Sequence, residues 1–235
     1  MTDGGTHTGG YTIMLPPGWR RIPLREGTAE TGNAARDAIG ASLRALPGNV
    51  PRDQLAAFRA EGEGRLLRMA AQVRRQGGVD LYLPAEAMRG IPVSASFVVS
   101  EGSLGAAAPV DPAQVVSYLA AGRDGGERTS ATLDGAVGLR VEHVEAPDPE
   151  AEVQATTRRV DYIVSMPGQP DRWLIVAFST LDHSARPGKE SAHPGTDAGE
   201  EAGSGARDDL ACLLVQLFDA MMSTFRWTWA HDGQR

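Results

Sequence analysis

The chain has 235 residues, is 41% hydrophobic and 23% charged, and carries a formal net charge of -7. That composition belongs to a globular protein able to bury a core. The acidity argues against a chain whose main task is gripping nucleic acid or anionic lipid, although it leaves room for a local basic patch. Of the 23 Lys and Arg residues only Lys189 is lysine. The arginines are scattered along the sequence, and the bias is read as the composition of a GC-rich genome. The one cysteine, Cys212, cannot form an intramolecular disulfide or a multi-cysteine zinc site, and its apolar helical setting predicts a buried, inert thiol.

Residues 1–10 are polar and read as a flexible start, with no basic stretch followed by an apolar run of the kind a secretory signal carries. No stretch approaches the ~20 apolar residues that span a bilayer, so the expected location is the cytoplasm. Residues 11–15 alternate as a strand and run into Pro16-Pro17-Gly18-Trp19. Extended structure resumes over 20–24, where Pro23 predicts a sheet edge. Asn33 is read as the cap of a helix carrying Ile39, Leu43 and Leu46 and ending at Pro47-Gly48. A second helix is predicted from Pro51 to about Gln76, with Leu55, Phe58, Leu66, Met69 and Val73 on one face. Glu61/Arg65 and Arg59/Glu63 are candidate i,i+4 pairs on its wet side. Gly62 and Gly64 weaken its middle and mark a kink or a close approach. Gly77-Gly78 ends it.

Two alternating strands follow, at 79–83 and 93–99. Asp111-Pro112 then starts a short helix with Val115, Val116 and Leu119, ended by Gly122. The pattern changes there to a meander. Residues 128–133 and 136–144 flank Asp134-Gly135, a tight-hairpin signal. Residues 156–166 and 172–181 flank Pro167-Gly168-Gln169-Pro170. The last of these strands is apolar on both faces, with Leu174, Val176 and Phe178 on one and Trp173, Ile175 and Ala177 on the other. It therefore belongs in the middle of a sheet covered on both sides. Residues 184–207 form a Gly-, Ser- and Ala-rich flexible insert. Asp208 caps a closing helix whose stripe is Leu210, Leu213, Leu214, Leu217, Phe218, Met221 and Phe225. Residues 230–235 are a tail. The order describes one α+β domain over 11–229, with a mainly antiparallel central sheet flanked by helices.

The opening LPPGW, the meander GLRVEHV, RRVDYIVSMPG and DRWLIVAFST, and the closing LFDAMMSTFRW resemble the Mog1/PsbP-like superfamily. That group includes Ran-binding Mog1, photosystem subunits, DcrB-type bacterial proteins and actinobacterial LpqN-like lipoproteins. The similarity covers roughly residues 11–229. The helical region 33–76 exceeds what the smallest members carry, the insert is extra, and the export signal of the lipoprotein members is missing. The resemblance implies a Mog1/PsbP-like fold and a non-catalytic protein-binding module, an adaptor or chaperone, associated with a bacterial secretion or multiprotein system. It supplies no catalytic residues.

Candidate chemistry is sparse. His7, His143, His183, His193 and His231 are the only histidines. Asp182-His183 with Ser179 or Ser184 superficially resembles part of a hydrolase site, but a triad is defined by geometry and not by adjacency. His143 shares strand parity with Val137, Leu139 and Val141, while Arg140 and Glu142 form a surface pair on the other face. A small hydrolase or transferase using His143 or Asp182/His183 is the alternative reading, and a structural subunit of an assembly is a third. Gly135–Gly138 joins two strands and so is no phosphate cradle, which would lead into a helix. No cofactor and no metal is expected. Trp227 and Trp229 share a parity if the chain becomes extended after Phe225, and they then pack on the sheet margin near Trp19. With Arg20, Arg21 and Arg226 beside them, Trp19, Trp227 and Trp229 form the candidate partner-binding rim. The expected partner is a protein, with no nucleic acid and no membrane insertion.

Overall fold

A computed structural model describes residues 8–25, 28–44, 50–88, 90–103, 111–121, 126–146, 156–181 and 201–229. In chain order the elements are β1 (Thr8–Thr12), β2 (Trp19–Pro23), α1 (Thr28–Arg44), α2 (Arg52–Arg75), β3 (Gly78–Pro84), β4 (Ala95–Ser103) and α3 (Pro112–Ala120). They continue with β5 (Glu127–Leu133), β6 (Ala136–Glu145), β7 (Thr157–Met166), β8 (Gln169–Leu181), α4 (Glu201–Ser223) and β9 (Arg226–Trp229). Seven strands form one antiparallel sheet in the order β2-β3-β4-β8-β7-β6-β5, and β1 and β9 form a separate antiparallel ribbon. The architecture is α+β.

Side-chain alternation explains the layering. β8 occupies the centre of the sheet, as its two apolar faces require. Phe97, Val99, Val160, Tyr162, Val164, Leu174, Val176 and Phe178 point to one face. There they meet Leu214, Phe218, Met221 and Met222 of α4 and Phe225 and Trp227 beyond it. Phe218 stacks on Phe178 with ring centroids 4.7 Å apart. On the opposite face α1 and α2 cover Ile22, Leu24 and Leu81 with Ala35, Ala38, Ala41, Leu66 and Ala70. Farther along that face α3 places Val116 over Leu139 and Trp173.

The turns carry their own chemistry. Asp134 (φ 48°) and Gly135 (φ 83°) both adopt left-handed backbone, the type I′ geometry that matches the twist of a two-residue hairpin. The β7–β8 turn is shorter than the sequence predicts. Pro167-Gly168 alone reverses the chain, Gly168 supplying φ 74°, and Gln169-Pro170 already belong to β8. β2 lies at a sheet edge, as Pro23 requires.

Several expectations need correction. α1 starts at Thr28, so Asn33 is inside the helix and does not cap it; its Oδ1 accepts from Arg36 instead. Leu46, Pro47, Gly48 and Gly122 lie outside the described residues. Asp208 is likewise internal to α4, which begins at Glu201. The expected flexible start over 1–10 does not hold for residues 8–10, which belong to β1 and pair with β9, and residues 1–7 lie outside the described residues. Cys212 is exposed. It falls on the outer side of α4, one step beyond buried Ala211, since a helix of 3.6 residues per turn hides only one face. No helix among the described residues is long and apolar enough to cross a membrane.

Candidate functional site

The two halves of α2 have different surroundings. Leu66, Ala70 and Val73, in its second half, pack into the core under α1. Its first half contributes nothing to that core, and Phe58 is left 51% exposed there. The predicted face is right at Leu66 and Val73 and wrong at Phe58 and Met69. Both sit on the flank of the buried line, and Met69 is 42% exposed. Gly62 lies at a close approach of the two helices. A Cβ there would stand 3.1 Å from Ile39 Cδ1, so the glycine marks close packing.

Beside this contact lies a cleft of about 460 Å³. β2 contributes Arg20, α1 contributes Arg36, Asp37, Gly40 and Arg44, and α2 contributes Arg59 and Glu63. A second cleft of about 390 Å³ shares Arg59 and Glu63 and continues along α2 past Ala60, Ala56, Leu55 and Arg52. Together they hold five arginines against two carboxylates, in a chain whose net charge is -7. Arg20 is offset by Glu86 at 3.0 Å, an exposed pair. Arg36 donates to Asn33 and to the carbonyl of Gly32, and among the described residues no carboxylate pairs with it. Among the described residues no carboxylate closes on Arg44, Arg52 or Arg59, so the predicted Arg59/Glu63 pair does not form. The α1 arginines are eight residues apart and the α2 arginines seven, so each pair lies on one helical face. Gly40, Ala56 and Ala60 keep the walls low.

The other ionic clusters bolt the fold together. Arg140 grips Asp219 of α4 with a two-point fork, Nε and Nη2 each 3.0 Å from a carboxylate oxygen, and Tyr162 Oη donates to the same carboxylate at 2.9 Å. Arg140 also reaches Glu142 at 2.8 Å, which in turn accepts from Arg158. The predicted Arg140/Glu142 pair exists, but it is largely buried and is not a surface pair. Burial alone would lower the Arg140 pKa; the hydrogen bonds to Asp219 and Glu142 outweigh it and raise the pKa. Burial, then the bond to Asp219, raises that of Tyr162.

A second cluster centres on Asp80, which is 2% exposed. It accepts from Tyr11 Oη and from Arg21 Nε, the latter at 2.7 Å, while the two hydroxyls of Tyr11 and Tyr82 lie 3.2 Å apart. Burial pushes Tyr82 up to about 12 and raises Tyr11 further, with the Tyr82 and Asp80 charges adding to the latter. Tyr11 also stacks on Phe225, so the cluster ties the β1–β9 ribbon to the main sheet.

The structure does not bring the six candidate rim residues together. Trp19 and Trp227 are 4% and 5% exposed. Trp19 packs against Phe97 and Trp227 sits edge-on to Phe225, so these two rings point inward and not to a rim. Trp229 pairs with Thr8 across the ribbon. Arg20 and Arg21 are neighbours in β2 and therefore point to opposite faces, Arg20 into the cleft and Arg21 to Asp80. Arg226 is exposed and its Nε lies 3.8 Å from Asp134. Of the six, only Arg20 lines the cleft.

His143 contacts Glu145, Nε2 to Oε1 at 3.1 Å. Ser179 is two strands away, across Arg159, a separation of about 10 Å that is far beyond proton-transfer reach. Asp182, His183 and Ser184 lie outside the described residues. Among the described residues no three His, Cys, Asp or Glu side chains are grouped as metal ligands. No protein-family model matches the chain, and comparison with curated proteins finds no significant match.

Proposed function

We propose that this chain is a non-catalytic protein-binding module, adaptor or chaperone-like, with a Mog1/PsbP-like fold, and that it docks its partner on the α1–α2 cleft. The observation that carries the reading is the cleft itself: five arginines, four of them without a carboxylate partner among the described residues, beside low apolar walls, on the half of α2 that leaves Phe58 exposed. Arginine and aromatic side chains are the residues that interfaces favour as anchors. The fold assignment draws support from the LPPGW turn, the four-strand meander and the apolar closing helix, set in a helix-flanked antiparallel sheet. A role in a secretion or multiprotein system is what the same resemblance implies.

Affinity capture with the tagged full-length chain, from an extract of its own organism, is the test. The expected result is a stoichiometric protein partner whose capture falls when Phe58 is changed to Asp. Capture of no protein, together with a tightly held metabolite in the purified chain, would overturn the reading.

A further inference from the structure

Resting on that reading, we infer that the cleft takes an acidic, amphipathic segment of the partner protein. The layout of charge carries the argument. Eight residues separate Arg36 from Arg44 and seven separate Arg52 from Arg59, distances of about 12 and 10 Å along the helix axes. The arginines therefore stand in two rows, one along each helix, and rows of that length match a row of carboxylates better than one compact anion. Planar guanidinium groups favour carboxylates because both are forked.

The second lobe supplies the other half of the recognition. Leu55, Ala56 and Ala60 continue the row along α2, and small side chains there leave space for an apolar side chain of the partner. A phosphate backbone would have no use for the apolar part of that lobe, and the net acidity of the chain opposes a long polyanion. A segment with carboxylates on one side and an apolar residue on the other uses both lobes.

The test is fluorescence anisotropy on the full-length chain. The probe is a fluorescein-labelled peptide of Glu and Leu at helical spacing, compared with its Lys-for-Glu counterpart, inorganic phosphate and a short DNA duplex. The Glu/Leu peptide is expected to bind saturably and more weakly as salt rises, and the Lys peptide not at all. Arg44 and Arg59 are both exposed, so R44E/R59E is expected to keep the circular dichroism and melting temperature of the parent. It is expected to lower peptide affinity at least about tenfold, two lost ion pairs being replaced by repulsion. R75E, at the exposed far end of α2, is expected to leave affinity within about twofold.

Equal binding by parent and R44E/R59E overturns the inference, as does tighter binding of phosphate or duplex than of the Glu/Leu peptide. The same double variant separates the two levels of the argument in the capture experiment. A partner retained by R44E/R59E overturns the acidic-segment inference and leaves the protein-binding reading standing. No partner for either chain, together with a tightly held metabolite in the purified parent, overturns the reading itself.

Discussion

Replacing Asp219 tests whether the closing helix is held to the sheet by its ionic bolt or by apolar packing alone. Asp219→Ala removes two charge-assisted bonds to Arg140, each 3.0 Å, and the 2.9 Å bond from Tyr162. Hydrogen bonds to charged groups contribute about 1.5–3 kcal/mol each. Two features reduce the total here. Asp219 retains 35% of its side-chain exposure, so solvent screens it, and Arg140 keeps Glu142 at 2.8 Å. The net cost is then about 2–3 kcal/mol, which for a chain of this size lowers the melting temperature by about 5–10 °C. Asp219→Asn keeps one acceptor oxygen and is expected to lose about half as much. Tyr162→Phe, which removes a single bond, costs about 1 kcal/mol. Because both changes act on one carboxylate, D219A/Y162F is expected to cost less than the sum of the two single changes. Thermal and urea melts followed by circular dichroism measure all four variants. An Asp219→Ala chain that melts within about 1 °C of the parent would refute the reasoning, and α4 would then be held by Phe218, Met221 and Met222 without help.

Alkaline pH is a second probe. The folded pKa of Tyr82 is raised from 10.0 to about 12, and Tyr11 and Tyr162 are raised as well. Their contribution to stability is fully present below pH 10 and is lost as pH climbs through the folded values, because the unfolded chain ionises first. The melting temperature is expected to fall from about pH 10 towards about 12, with tyrosinate absorbance from these residues appearing only with unfolding; ionisation of all four tyrosines in a still-folded chain near pH 10 would contradict this. Glycine substitutions should differ in sign. A Cβ at Gly138 would stand 2.5 Å from the Ile163 carbonyl oxygen and 2.8 Å from Val164 Cγ2, so Gly138→Ala costs about 1–3 kcal/mol or more by overpacking. At Gly64 the nearest atom is the mobile Arg68 Nη1 at 3.4 Å, so Gly64→Ala gains about 0.5–1 kcal/mol of helix propensity. Urea midpoints of equal sign for these two variants would count against the packing described. Exposed Cys212 is expected to react with a thiol reagent in the native chain, one equivalent per chain; protection until unfolding would show the thiol to be buried.

Local signals carried the strands well. Asp134-Gly135 has one conformation to offer, and the two-sided apolar pattern of β8 has only one place in a sheet. The helices were read less well, because their buried face depends on what they meet. On α2 the stripe through Phe58 and Met69 is as periodic as the one that is buried, and only the position of α1, set by Gly62 against Ile39, decides between them. The tryptophans failed for a related reason. Parity puts Trp227 and Trp229 on one side of β9 but cannot say which side is inward. The arginine cleft was missed because five arginines between positions 20 and 59 look scattered in sequence. The spacings of eight on α1 and seven on α2 were the available signal, and composition bias hid it.

The length of α2 bears on whether that cleft is incidental. Its 24 residues make a rod of about 36 Å. Core contacts come from Leu66, Ala70 and Val73, all in the second half. A helix extension that buries nothing in the core gains little stability and still costs backbone entropy. Gly62 and Gly64 raise that cost by roughly 1 kcal/mol apiece relative to alanine. What steadies the first half is its contact with α1, and the Gly62–Ile39 approach at the junction brings the arginine faces of the two helices side by side. A glycine that weakens the helix while drawing like charges together opposes stability on two counts. Such an arrangement is understandable if the cleft is completed by a negative surface that the described residues do not provide.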